Sequence, residues 1–109
     1  MNCVVALSNF PDRKTAESIA RILVHEKLAA CVNLCPGVTS IYRWEGAVEL
    51  AEEVTALIKT TESAYPELEA RLKDLHPYEV PEILKLLPQG GLDSYLRWVS
   101  GAVDASPKD

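Results

Sequence analysis

The sequence predicts an α+β domain with the order β-α-β-β-α-β and an additional helix at the C-terminal end. Two stretches carry apolar residues at helical spacing, and each lies between short apolar runs of strand character. Two long extended runs, Val38 to Trp44 and Ala47 to Thr60, are joined only by the turn at Trp44-Glu45-Gly46. Pro and Gly fall between these segments rather than within the helical ones, apart from Pro66 and Gly101.

Cys3 to Ser8 is a short run rich in β-branched residues, read as a buried strand. Asn9-Phe10-Pro11-Asp12 supplies a turn, with Asp12 as helix N-cap. Ala16, Ile19, Ala20, Leu23 and Val24 then mark one face of an amphipathic helix that ends near Leu28. Ala30 to Leu34 returns to strand character, and Pro36-Gly37 predicts a bend or bulge. Beyond it Val38, Ser40, Tyr42 and Trp44 alternate with Thr39, Ile41 and Arg43. The returning strand places Val48, Leu50, Val54, Ala56 and Ile58 on one face, interrupted by Glu52.

Thr61-Glu62-Ser63 offers caps for a second helix with a stripe of Tyr65, Leu68, Leu72 and Leu75, in which Pro66 is tolerated in the first turn. His76-Pro77 ends it, because a residue before proline avoids the helical region. Glu82 to Leu87 is a short strand, Gly90-Gly91 a turn, and Leu92 to about Val103 a final helix. One domain over residues 1–103 is expected, with 104–109 as a flexible tail. The order is the split βαβ of ferredoxin-like folds: an antiparallel sheet, two helices on one face, and a bare second face.

The hairpin is too long for its body. A strand of about 13 residues reaches ~43 Å at ~3.3 Å per residue, whereas a compact domain of this size, with a gyration radius of ~13 Å, is ~34 Å across. The overhang would expose backbone edges with Tyr42, Trp44, Val48 and Leu50. Burial by other copies of the chain is the simplest remedy, so a closed oligomer is expected, with unusual heat resistance as a consequence.

Composition narrows the partners. A 48% hydrophobic content supports a real core in 109 residues, and the net charge of −5 disfavours nucleic-acid backbones and anionic membranes. Met1 to Leu7 lacks a basic leader, and no apolar run suffices to span a bilayer, so the expected location is the cytoplasm. The odd set Cys3, Cys31 and Cys35 reads as reduced, buried thiols filling strand positions.

Leu28-Ala29-Ala30-Cys31-Val32-Asn33, Pro36 through Gly46 (PGVTSIYRWEG) and His76-Pro77-Tyr78-Glu79-Val80-Pro81-Glu82 match the CutA family in order and spacing. The resemblance runs from Val4 to about Val99. It implies a ferredoxin-like subunit in a tight homotrimer, strand pairing between subunits, a role in tolerance of copper and other divalent metals, proposed copper binding, and architectural similarity to PII signalling trimers. It implies no agreed enzymatic reaction. In members with proposed copper binding, a cysteine ends the first strand and a second histidine precedes the one in the His-Pro-Tyr motif. Here those positions hold Ser8 and Leu75, which leaves His76 alone.

His76 is the metal candidate, since imidazole suits copper and zinc; a capping histidine at a helix end is the other reading. Glu79 and Glu82 form a carboxylate pair that could complete a metal site, do acid/base work, or simply meet Arg43 or Lys59. Tyr78 and Trp44 suit an interface or an intersubunit cleft. No phosphate-cradling glycine loop, nucleophile elbow or Cys-x-x-Cys occurs. The leading expectation is a non-enzymatic cytoplasmic homotrimer of the CutA type in divalent-metal response, with a divalent metal such as copper as the candidate cofactor. The rival is a PII-like sensor or adaptor that binds a small ligand or a protein partner between subunits.

Overall fold

The computed structural model describes residues 3–103, so the tail expected over 104–109 lies outside the described residues. The order is β1 (Cys3–Phe10), α1 (Arg13–His25), β2 (Cys31–Trp44), β3 (Ala47–Thr61), α2 (Tyr65–Leu75), β4 (Ile83–Leu86) and α3 (Asp93–Ala102). The strands make one antiparallel sheet ordered β2-β3-β1-β4. This is the ferredoxin-like arrangement with its long hairpin and extra helix.

Alternation along β1 sends Val4, Ala6, Ser8 and Phe10 into the core. There they meet Val54, Ala56 and Ile58 of β3, Ala16, Ile19 and Leu23 of α1, and Leu68 and Leu72 of α2. The Asp12 carboxylate accepts from the Thr15 N–H at 2.7 Å and caps α1. Helix α1 stops at His25, earlier than its apolar spacing suggests, because Lys27 turns left-handed at φ 63°. Lys27 N–H then reaches the Val24 carbonyl and Leu28 N–H the Leu23 carbonyl, each at 3.0 Å, while the buried Leu28 and Leu23 provide the apolar contact of a Schellman ending. A lysine is strained there where glycine is not, so Lys27→Gly is expected to raise stability by about 1 kcal/mol. Chemical denaturation checks this; an unchanged or lowered midpoint would contradict it.

The hairpin turns on Glu45 and Gly46, both at positive φ (48° and 83°), the backbone of a two-residue type I′ turn. Its ladder slips between Cys35 and Val38, so Pro36-Gly37 forms a bulge inside one continuous strand. Strand β1 ends opposite Val54, and among the described residues everything from Ala47 to Glu53 has β2 as its only strand neighbour. About seven residues of free ribbon project ~23 Å. The gyration radius of 14.5 Å and extents of 43 × 31 × 24 Å reflect this projection.

The ribbon has two distinct faces. Opposed pairs Ile41–Leu50 and Arg43–Val48 share one side, and Val38–Glu53, Tyr42–Glu49 and Trp44–Ala47 share the other. Ile41, Val48 and Leu50 are 68%, 67% and 67% exposed. They form an aliphatic face, and Tyr42 and Trp44 belong to the opposite one. On the body, the sheet surface away from α1 and α2 carries the cross-strand pairs Leu7–Leu84 and Val5–Leu86, with Leu57 beside Leu7. Helix α3 closes only the end of this sheet, where Val99 and Val103 pack with Ala30, Ala64 and Cys3.

The cysteines depart from expectation. All three are free, but Cys3 and Cys31 are only half-buried and Cys35 is exposed beside the bulge, where alternation is broken.

Candidate functional site

The loop from His76 to Glu82 leaves the end of α2, crosses the end of β1 and enters β4. Where it passes the root of the ribbon it encloses an open cleft of about 710 Å³. Tyr42 and Trp44 line one wall, and Pro77, Tyr78, Glu79, Val80 and Glu82 the other, with Asn9 and Glu53 between them.

His76 anchors this loop from behind. It is 7% exposed and its ring stacks on Phe10 at 4.6 Å between centroids. Its Nδ1 accepts the Tyr78 N–H at 3.1 Å. That fixes the other nitrogen, Nε2, as the protonated one, which donates to the Asn9 carbonyl at 2.8 Å. Both ring nitrogens are thus engaged within the chain. Burial pushes the His76 pKa below its ordinary value, against the opposing pull of the Asn9 carbonyl and Glu53.

The same tautomer sets a pH dependence. The unfolded chain takes up a proton on His76 near pH ~6.5, and the folded chain does so only at lower pH. The stability contributed by neutral His76 is therefore complete above about pH 6.5 and is lost as the pH falls through the folded value. Urea midpoints are expected to drop between about pH 7.5 and about pH 5.5, and to drop less in His76→Gln. Equal slopes for the two proteins would contradict the assignment.

Asn9 ties the cleft together. Its Oδ1 accepts from Thr55 Oγ1 at 2.7 Å, and its Nδ2 donates to Glu82 Oε1 at 2.8 Å. Tyr78 Oη donates to Glu53 Oε2 at 2.6 Å; burial, then this carboxylate, pushes the phenol pKa well upward. Tyr78 is consequently a neutral donor that fastens the loop to the ribbon.

Of the residues singled out in the sequence, Trp44, Tyr78, Glu79 and Glu82 meet around one cleft, with His76 beneath it. Glu82 is held by an amide, not by Arg43 or Lys59, and Lys59 lies elsewhere beside Asn33 and Cys31. Glu53 and Asn9 are not legible as site residues in the sequence, since their partners are 25 and 73 positions away in the chain. Among the described residues, no three His, Cys, Asp or Glu side chains gather closely enough to hold a metal ion. No helix is long and apolar enough to cross a membrane among the described residues.

A family model described as CutA1 divalent ion tolerance protein matches residues 4–102. The chain is 50% identical over 95 residues to the divalent-cation tolerance protein CutA of Thermus thermophilus, covering 87% of this chain and 92% of that one. It is 47% identical over 89 residues to human protein CutA, covering 82% of this chain and about half of that longer one, 50%. The crystal structure of CutA1 from Oryza sativa superposes with a TM-score of 0.93 at 37% identity, covering 97% of both chains. The structure of the divalent cation tolerance protein from Thermus thermophilus gives 0.90 at 47% identity, over 94% of this chain and 99% of that one. The chain belongs to the CutA1 divalent ion tolerance family.

Proposed function

We propose that this protein serves the cellular response to divalent cations, copper among them, as a closed homotrimer without catalytic turnover, acting in the cytoplasm. The family match over residues 4–102 carries the reading. The assembly is supported by the aliphatic face of the ribbon, whose Ile41, Val48 and Leu50 stay about two-thirds exposed in the single chain. Three free thiols suit a reducing compartment.

Metal contact is proposed at His76 only through release of its ring from Asn9 or Tyr78, with further donors from Glu79, Glu82 or a second subunit. Binding should accordingly be weak. Calorimetric titration with Cu(II), Zn(II) and ATP on wild type and His76→Gln tests this. The expected result is weak copper binding, reduced at least about tenfold by the substitution. Equal affinity in both proteins would remove His76 from the metal reading, and binding of ATP without metal would replace that reading by a ligand sensor.

A further inference from the structure

The cleft between the ribbon and the 77–82 loop combines three aromatic rings, Tyr42, Trp44 and Tyr78, with three carboxylates, Glu53, Glu79 and Glu82. None of the side chains that line it carries a positive charge. The two carboxylates with partners there are held by neutral donors, Glu53 by the Tyr78 hydroxyl and Glu82 by the Asn9 amide. These bonds orient the carboxylates and leave their charge uncompensated. Tyr42 and Trp44 remain 44% and 47% exposed, with ring surface available.

We infer that this cleft binds a linear aliphatic polyamine. Uncompensated carboxylates exclude a phosphate or other small anion by repulsion. A compact metal ion needs several donors at one point, and the acidic groups are instead distributed along the cleft. Glu53 lies beside Tyr78, whereas Glu82 is tied through Asn9 to Thr55, two residues farther along β3 and ~7 Å away along the strand. A polyamine matches that spacing, because separated ammonium groups can meet separate carboxylates while the methylene chain crosses the rings. Aromatic faces attract such cations, and the indole does so best. Val48 and Leu50, the aliphatic residues assigned to contact with sister copies, do not line the cleft, and Ile41 alone of that patch reaches it. The loop wall is already fixed through His76 and Asn9, which limits the ordering cost of binding.

The test uses the full-length assembled protein and spermidine as probe, at constant ionic strength, by calorimetry and by the indole signals of Trp44 and Trp98. Saturable binding is expected, weakened about fivefold in Trp44→Leu and at least as much in Glu53→Gln. In wild type, the Trp44 indole proton should shift while that of Trp98, on α3, does not. No saturable binding, equal affinity in both variants and wild type, equal shifts at the two indoles, or ATP taken up in place of spermidine would overturn the inference. Should either variant fail to assemble, the wild-type indole comparison decides it. The inference goes beyond the metal reading, and copper titration and spermidine titration can fail independently.

Discussion

Replacing Leu50 by Asp is expected to break the assembly into single subunits at micromolar concentration and to lower the melting temperature sharply. The side chain is 67% exposed in one subunit, so nothing within the subunit accounts for a large loss. In a closed ring the same position is buried in every copy, and an unpaired carboxylate there costs about 3 kcal/mol or more at each repeated contact. Ser40→Asp, on the same ribbon but on the face opposite Ile41, Val48 and Leu50, serves as the comparison and should change assembly less. Light scattering and thermal melting read both effects. A Leu50→Asp protein that keeps its mass and its melting point would remove the aliphatic face from the interface.

The second large effect is expected from His76→Ala. The imidazole stacks on Phe10, donates to the Asn9 carbonyl and accepts from the Tyr78 backbone, so truncation opens a cavity and strands two polar groups. A loss of about 3 kcal/mol per subunit follows. Because Tyr78 is fastened to Glu53 by its hydroxyl, the loosening should reach the root of the ribbon. Amide exchange at Tyr78 and Glu53 is expected to accelerate together in this variant. Loss confined to α2, with the Glu53 region unchanged, would contradict the latch role. His76→Gln should recover part of the stability, since one amide can replace one of the two bonds.

The fold is legible in the sequence because its local signals agree. Apolar spacing marks α1 and α2, Pro77 marks the stop of α2, and the absence of any break from Ala47 to Thr60 marks the long strand. The overhang follows from chain length alone. Element ends are less legible, because α1 closes on a left-handed Lys27 rather than a glycine, and apolar Leu28 continues the helical pattern beyond the true end. The division of the ribbon into an aliphatic and an aromatic face follows the alternation, but which residues cluster depends on the register across the bulge at Pro36-Gly37.

The site is half legible. Trp44, Tyr78, Glu79 and Glu82 stand out by residue type, and His76 by its place before proline. Glu53 and Asn9 do not, since nothing local distinguishes a strand glutamate or a loop-edge asparagine from any other. Their roles exist only through antiparallel pairing, which sets Asn9 against Thr55 and leaves Glu53 just beyond the end of β1. The half-buried state of two thiols is hidden from the sequence for a related reason. Cys3 and Cys31 face the side of the sheet that α3 covers only at its end, and nothing local in the sequence marks where that cover stops.

The ribbon must be sheltered by sister molecules for these expectations to hold together. Multi-angle light scattering of the purified wild-type protein at micromolar concentration measures this directly. The account predicts a mass three times that of the 12.0 kDa subunit, unchanged on dilution through the micromolar range. A folded species of single-subunit mass under those conditions would contradict it.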